Sequence, residues 1–119
     1  MKLPGPDHPI TITPTPKRVR ISAGGVVIAD STHAMTLKEA SYPPVQYVPR
    51  TDANMALLAR TDRVTHCPYK GDASYFSVVA NGKIIENAIW TYETPFPAMA
   101  EISGHLAFYP DKVKIEEVA

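Results

Sequence analysis

The sequence predicts an all-β domain, and three observations carry that prediction. Twelve prolines stand against six glycines in 119 residues, a density that interrupts any long helix. Short β-rich runs recur at roughly the 8–12-residue spacing of sandwiches and barrels. Two long β-rich runs, 73–80 and 83–92, are separated only by Asn81-Gly82. That dipeptide is favoured in type I′ hairpin turns because both residues tolerate positive φ.

Residues 1–16 contain Pro4, Pro6, Pro9, Pro14 and Pro16. They read as a proline-rich N-terminal arm, either packed along the domain or frayed, and residues 17–119 read as a single β domain. Arg18 to Ile21 alternate polar and apolar, Ala23-Gly24-Gly25 turns, and Val26 to Ala29 returns, which makes a hairpin. Asp30-Ser31-Thr32 turns again into a strand over 33–38. Pro43-Pro44 and Pro49 bracket a strand at Val45 to Val48. A short helix is predicted over 52–59, with Asp52 as N-cap and Met55, Leu57 and Leu58 on one side. Arg63 to Cys67 forms a strand stopped by Pro68, and Tyr69 to Asp72 is a loop. Beyond the Asn81-Gly82 hairpin, Pro95 and Pro97 break the chain. One helical turn near 97–102 precedes two last strands, 104–109 and 112–118. The count is about eight short strands in a compact sandwich.

The two-residue turn sets a register. Position 80 faces 83, 78 faces 85 and 76 faces 87. One face then carries Phe76, Val78, Ala80, Ile85, Asn87 and Ile89, mostly core. The other carries Tyr75, Ser77, Val79, Ile84, Glu86, Ala88, Trp90 and Tyr92. A bulge in either strand would swap these assignments beyond it.

Composition excludes several functions. Twelve Lys and Arg balance twelve Asp and Glu, so the basic footprint of a nucleic-acid or membrane-surface binder is missing. The single cysteine, Cys67, allows no internal disulfide and no paired-cysteine zinc site. His8, His33, His66 and His105 lack metal-ligand spacing. No metal or cofactor is expected. The first residues lack an apolar signal core and no run is long enough to span a bilayer, so the expected location is the cytoplasm.

The residues that could carry chemistry cluster in a few strings. Cys67 is flanked by His66 and Lys70, either of which could lower a thiol pKa. Neighbouring strand residues point to opposite faces, however, and a buried thiol packing as a small hydrophobe remains the plainer use. Arg50 and Lys70 follow proline-bounded strands, and each could hold a carboxylate or phosphate. Tyr47, Tyr69, Tyr75, Trp90, Tyr92 and Tyr109 would supply walls and hydroxyls, or else stand as core-edge residues. Asn87 joins this ligand-binding set. Glu93 ends the Trp90 strand and is the carboxylate best placed for acid–base work, whereas Glu86 is a strand-edge residue open to water.

Several strings carry a resemblance. They are Arg18-Val-Arg, Val27-Ile-Ala-Asp-Ser, the run from Pro43 to Arg50, Thr65-His-Cys-Pro-Tyr-Lys-Gly, Asn87-Ala-Ile-Trp-Thr-Tyr-Glu-Thr-Pro and Gly104-His-Leu-Ala-Phe-Tyr. In these the chain resembles the bacterial domain-of-unknown-function family 427, from about Pro14 to its end. The resemblance implies a compact Mss4-like, or β-tent, all-β domain. It carries no zinc across, because the paired cysteines that bind zinc in such relatives are absent here. The family is sometimes grouped with nucleotidyltransferases. Their signature needs two spaced carboxylates after a Gly-Gly or Gly-Ser pair, and here Gly24-Gly25 is followed by Asp30 with Thr32 in the second place.

Three functions follow as expectations. The first is a small-molecule-binding domain, open to being an enzyme, with an aromatic, anion-accepting pocket. Arg50, Lys70, Tyr75, Trp90 and Tyr92 would converge on it, with Cys67 in or behind its wall. The second is an enzyme using Cys67 as nucleophile or redox centre. The third is a module that binds a peptide or protein along a strand edge.

Overall fold

The computed structural model describes residues 1–118. Its ten strands are β1 (Ile10–Pro14), β2 (Arg18–Ala23), β3 (Val26–Ser31), β4 (Met35–Glu39), β5 (Val45–Tyr47), β6 (Leu58–Cys67), β7 (Gly71–Ala80), β8 (Lys83–Thr91), β9 (Leu106–Phe108) and β10 (Lys114–Val118). They form three antiparallel sheets in the orders β1-β4-β5, β10-β2-β3 and β6-β7-β8-β9, and no barrel closes among the described residues. The all-β class is as the sequence predicts, with ten strands instead of eight. No helix among the described residues is long and apolar enough to cross a membrane.

The helix expected over 52–59 is absent. Two separate 3₁₀ turns, Arg50–Asp52 and Met55–Leu57, take its place, and Leu58 already starts β6. The cause is tertiary. Ala53 pairs with Ala29 of β3, and the Asn54 amide donates to the Ile28 carbonyl at 2.8 Å. These bonds hold the segment extended between the two turns, where a continuous helix would need the same amides. The Asn54 side chain then caps the second turn through the Ala56 amide. The turn at Pro97–Ile102 is also 3₁₀.

The hairpin turns where the sequence says. Asn81 and Gly82 have φ of 52° and 70°, and Ala80 faces Lys83 and Val78 faces Ile85. The predicted pairing of 76 with 87 fails, because Phe76 faces Ile89. Residues 86–88 oppose Ser77 alone, an excess of two. Asn87 sits in this bulge at φ 49°, a conformation Asn tolerates better than most residues. Its amide donates to Ser77 Oγ at 3.0 Å and its side-chain oxygen accepts from Thr61 Oγ1 at 2.6 Å. Thr61 lies in a matching irregularity of β6, where Arg60 faces Phe76 but Val64 faces Ser74. An insertion of two restores the alternation that an insertion of one would invert. Tyr75 and Trp90 therefore still face each other, on the side opposite Phe76 and Ile89.

That alternation divides the core. Val19, Ile21 and Ile28 pack with Phe76, Val78, Ala88, Ile89 and Phe108, joining β2 and β3 to one face of β7 and β8. Ala88, assigned by sequence to the Trp90 side, joins this cluster through the bulge. Leu37, Tyr47, Tyr75, Tyr92, Met99 and Ile102 form the second cluster, on the other face. It is roofed by the β1-β4-β5 sheet. That sheet is fastened to β9 where Val48 and Leu106, both fully buried, exchange backbone bonds of 2.8 and 2.7 Å. Within the N-terminal segment, Ile10–Pro14 is an edge strand pairing with β4, a position in which proline is tolerated.

Asn87→Val should cost about 1–3 kcal/mol in chemical denaturation, because a β-branched residue is strained at positive φ. Asn87→Gly should cost less than Asn87→Val, losing the Thr61 bond but not the backbone fit.

Candidate functional site

The second cluster opens onto a cavity of about 800 Å³. Its walls come from β4 (Leu37, Glu39), the β4–β5 connection (Tyr42, Pro43, Pro44), β5 (Val45 to Tyr47) and the β6–β7 turn (Cys67, Lys70). Tyr75, Trp90 and Tyr92 come from the β7–β8 hairpin and the residue after it. Phe108 to Pro110, with Ile115 and Glu117 of β10, complete it. The strand alternation of the hairpin places the three hairpin aromatics here together.

Lys70 is held at the cleft by its turn. Cys67 faces Gly71, and Pro68, Tyr69 and Lys70 make the connection. Gly71 has φ 108°, a backbone conformation that a side chain disfavours. The Phe96 amide donates to the Lys70 carbonyl at 3.0 Å. The lysine is only 7% exposed. Its Nζ donates to Glu39 Oε1 at 2.5 Å, lies 3.6 Å from Cys67 Sγ, and stands 5.9 Å from the centre of the Tyr92 ring.

Glu39 is the counter-ion a buried ammonium requires. Burial pushes its pKa up, but hydrogen bonds from Lys70 and from His8 Nε2 (2.7 Å) outweigh that and bring it below the usual carboxylate value. His8 also stacks on Tyr69, with ring centres 4.1 Å apart and planes 7° from parallel. The N-terminal segment thereby packs on the outer side of the turn that carries Lys70.

The aromatic wall is cross-bonded. Trp90 Nε1 donates to the Tyr47 hydroxyl at 3.2 Å, and the Trp90 and Tyr109 rings lie 4.6 Å apart at 46°. The Tyr75 hydroxyl is 2.9 Å from Thr65 Oγ1 and 3.4 Å from the Tyr109 hydroxyl. Burial pushes the Tyr109 phenol up to about 12. Burial also raises Tyr75, but hydrogen bonds from Thr65, Tyr109 and Arg63 bring it below its ordinary value. Burial raises both Tyr47 and Tyr92 strongly, so these phenols stay neutral.

Of the residues singled out from sequence, Tyr47, Cys67, Lys70, Tyr75, Trp90 and Tyr92 line this cleft. Arg50, Tyr69, Asn87 and Glu93 do not. Arg50 donates to the Gly104 carbonyl (2.8 Å) and to Glu93 (2.8 Å), and Arg60 also donates to Glu93 (2.6 Å). Both guanidiniums stack on Phe76, 5.4 and 5.1 Å from its centre. Arg50 is thus committed to a structural ion pair. Glu93 is held below the usual carboxylate range first by the Arg60 hydrogen bond and then by Arg50, the opposite of a raised general acid. It borders a separate cleft of about 300 Å³ with His66, Asp72 and Ser74. There His66 turns away from Cys67, its Nδ1 bonding Asp72 Oδ1 at 2.7 Å. Tyr69 faces the N-terminal segment, and Asn87 serves its bulge. No group of three or more His, Cys, Asp or Glu poised for a metal occurs among the described residues.

The sequence reading missed Glu39, 31 residues from Lys70, and the Pro43-Pro44 lip. Glu39 carries no local signal, since a lone glutamate ending a strand looks solvated. The double proline was visible, but only as punctuation.

Lys70→Met should destabilise the fold by about 2–3 kcal/mol, since Glu39 loses its main partner. Adding Glu39→Gln should return most of that loss, as measured by chemical denaturation. The folded pKa of Glu39 lies below its unfolded value, so its contribution is full above about pH 4.5 and is lost as pH falls through the folded pKa. Glu39→Gln should therefore flatten the acid limb of the stability–pH profile. At the alkaline end the raised phenols act in the opposite sense. Their contribution is full below the ordinary value of 10.0 and is lost as pH rises through the folded pKa. Tyr92→Phe should move the onset of alkaline unfolding upward.

Residues 11–119 match the family described as Domain of unknown function (DUF427). No curated protein matches the sequence. With all but the first ten residues inside that match, the chain belongs to the Domain of unknown function (DUF427) family.

Proposed function

We propose that this domain binds a small, partly aromatic molecule in the cleft between the β1-β4-β5 sheet and the β7–β8 hairpin. One observation carries the reading: an ammonium only 7% exposed, Lys70, at an aromatic-walled cavity of about 800 Å³. Holding a lysine out of water costs stability unless it is compensated, and such a group beside open aromatic surface fits a ligand's polar end. The volume lies in the range of ligand sites, roughly 300–1,000 Å³, and a few polar groups set among aromatic walls are their usual lining. Trp90 and Tyr109 would stack on the planar part of the ligand. A carbonyl or carboxylate would meet Lys70.

A second reading, thiol-dependent chemistry, is favoured by one contact. Cys67 Sγ borders the same cleft 3.6 Å from Lys70 Nζ, so the chain's one thiol adjoins the space a ligand would fill.

A thermal-shift screen of aromatic carboxylates and amides separates these readings from an interaction module. Ligands should raise the melting temperature with concentration as linkage requires, and Cys67→Ser should leave that shift intact if binding alone is the function. Lys70→Met should weaken binding at least about tenfold by losing a charge-assisted hydrogen bond. Hits that bind Lys70→Met and the wild type equally would remove the cleft from consideration.

A further inference from the structure

We infer that the cleft selects an uncharged planar ligand bearing a carbonyl-type acceptor, such as an aromatic amide or lactam, over the matching carboxylate. This rests on the cleft being a ligand site, and it adds which chemistry the site takes.

The charge count inside the cleft decides the matter. Lys70 brings one positive charge, and Glu39 cancels it at 2.5 Å. The other charged residue of the lining, Glu117, is negative. Arg50, the second cation expected from sequence, is bound to Glu93 elsewhere, and Arg63, stacked 4.9 Å over the Tyr75 ring, is not part of the lining. A ligand carboxylate at Lys70 would place a second negative charge beside Glu39 with no further cation in the lining to balance it. In partly desolvated surroundings that repulsion is large.

The unused hydrogen-bonding groups point the same way. Of the three Lys70 ammonium protons, Glu39 takes one and the weakly accepting Cys67 sulfur faces another. The third has no partner among the described residues and is left for a ligand acceptor. Tyr92 is 7% exposed and borders the cleft. No described residue forms a hydrogen bond with its hydroxyl, yet no buried polar side-chain atom among the described residues lacks a partner, so this oxygen is open to solvent. Two of the other polar wall groups are occupied, Trp90 by Tyr47 and Tyr75 by Thr65. Two donors, one phenolic and one ammonium, thus border one end of an aromatic slot whose net charge is not positive. A neutral carbonyl oxygen satisfies both donors and adds no charge.

The test compares indole-3-carboxamide with indole-3-carboxylate on the full chain at neutral pH, by NMR titration of the Trp90 indole resonance. The amide should bind at least about tenfold more tightly, the scale expected for an unbalanced charge. Tyr92→Phe should weaken the amide about fivefold, the loss of one neutral hydrogen bond. Glu39→Gln should narrow or reverse the preference, because Lys70 is then uncompensated. Equal or tighter binding of the carboxylate to the wild type would overturn the inference and leave the cleft itself standing. If neither probe moves the Trp90 resonance, both the inference and the cleft reading fail. The wild-type comparison and Tyr92→Phe decide the question even if Glu39→Gln does not fold.

Discussion

The ion pair between Lys70 and Glu39 is the constraint around which the candidate site is arranged. Lys70 comes from the turn joining β6 and β7, and Glu39 from the end of β4 in another sheet. A lysine this buried needs a carboxylate nearby, so the two sheets must meet at this point. The backbone exchange between Val48 and Leu106 fixes the same two sheets along their other contact. Between these two fastenings lies the aromatic cluster that lines the cleft. The pair also reaches outward, since the second Glu39 oxygen accepts from His8 and so ties down the segment before β1.

A second constraint is parity. β7 is flanked by two irregularities, one in β6 around Thr61 and one in β8 around Asn87, each adding two residues. An odd excess would have turned Trp90 into the first hydrophobic cluster. The even excess bends the strands locally and keeps Tyr75 and Trp90 on the cleft side. The hydrogen bond between Thr61 and Asn87 links the two irregularities.

How much of this was legible in the sequence differs from residue to residue. Asn81-Gly82 announced its turn because the dipeptide's backbone preference is local and strong. The facing of Tyr75, Trp90 and Tyr92 followed from alternation, and survived a bulge that the sequence did not reveal. Asn87 gave no sign of its positive φ, since Asn serves equally in turns, caps and strands. Arg50 was misplaced for a different reason. A long cationic side chain follows the partner it can reach, and Glu93, 43 residues away, is invisible to local pattern. The helix expected at 52–59 failed similarly, as long-range bonds to Ile28 and Ala29 overrode a plausible capping signal. What local chemistry specifies can be read from one sequence, whereas ion pairs across sheets cannot.

The central claim is that the aromatic cleft, and not another surface of the domain, is where a small molecule binds. A crystallographic fragment screen tests it most directly. The account predicts that planar fragments collect beside Trp90 and Tyr109, with an acceptor atom within hydrogen-bonding distance of Lys70 Nζ or the Tyr92 hydroxyl. Fragments gathering instead in the smaller cleft beside His66 and Asp72, with the aromatic cleft empty, would contradict it.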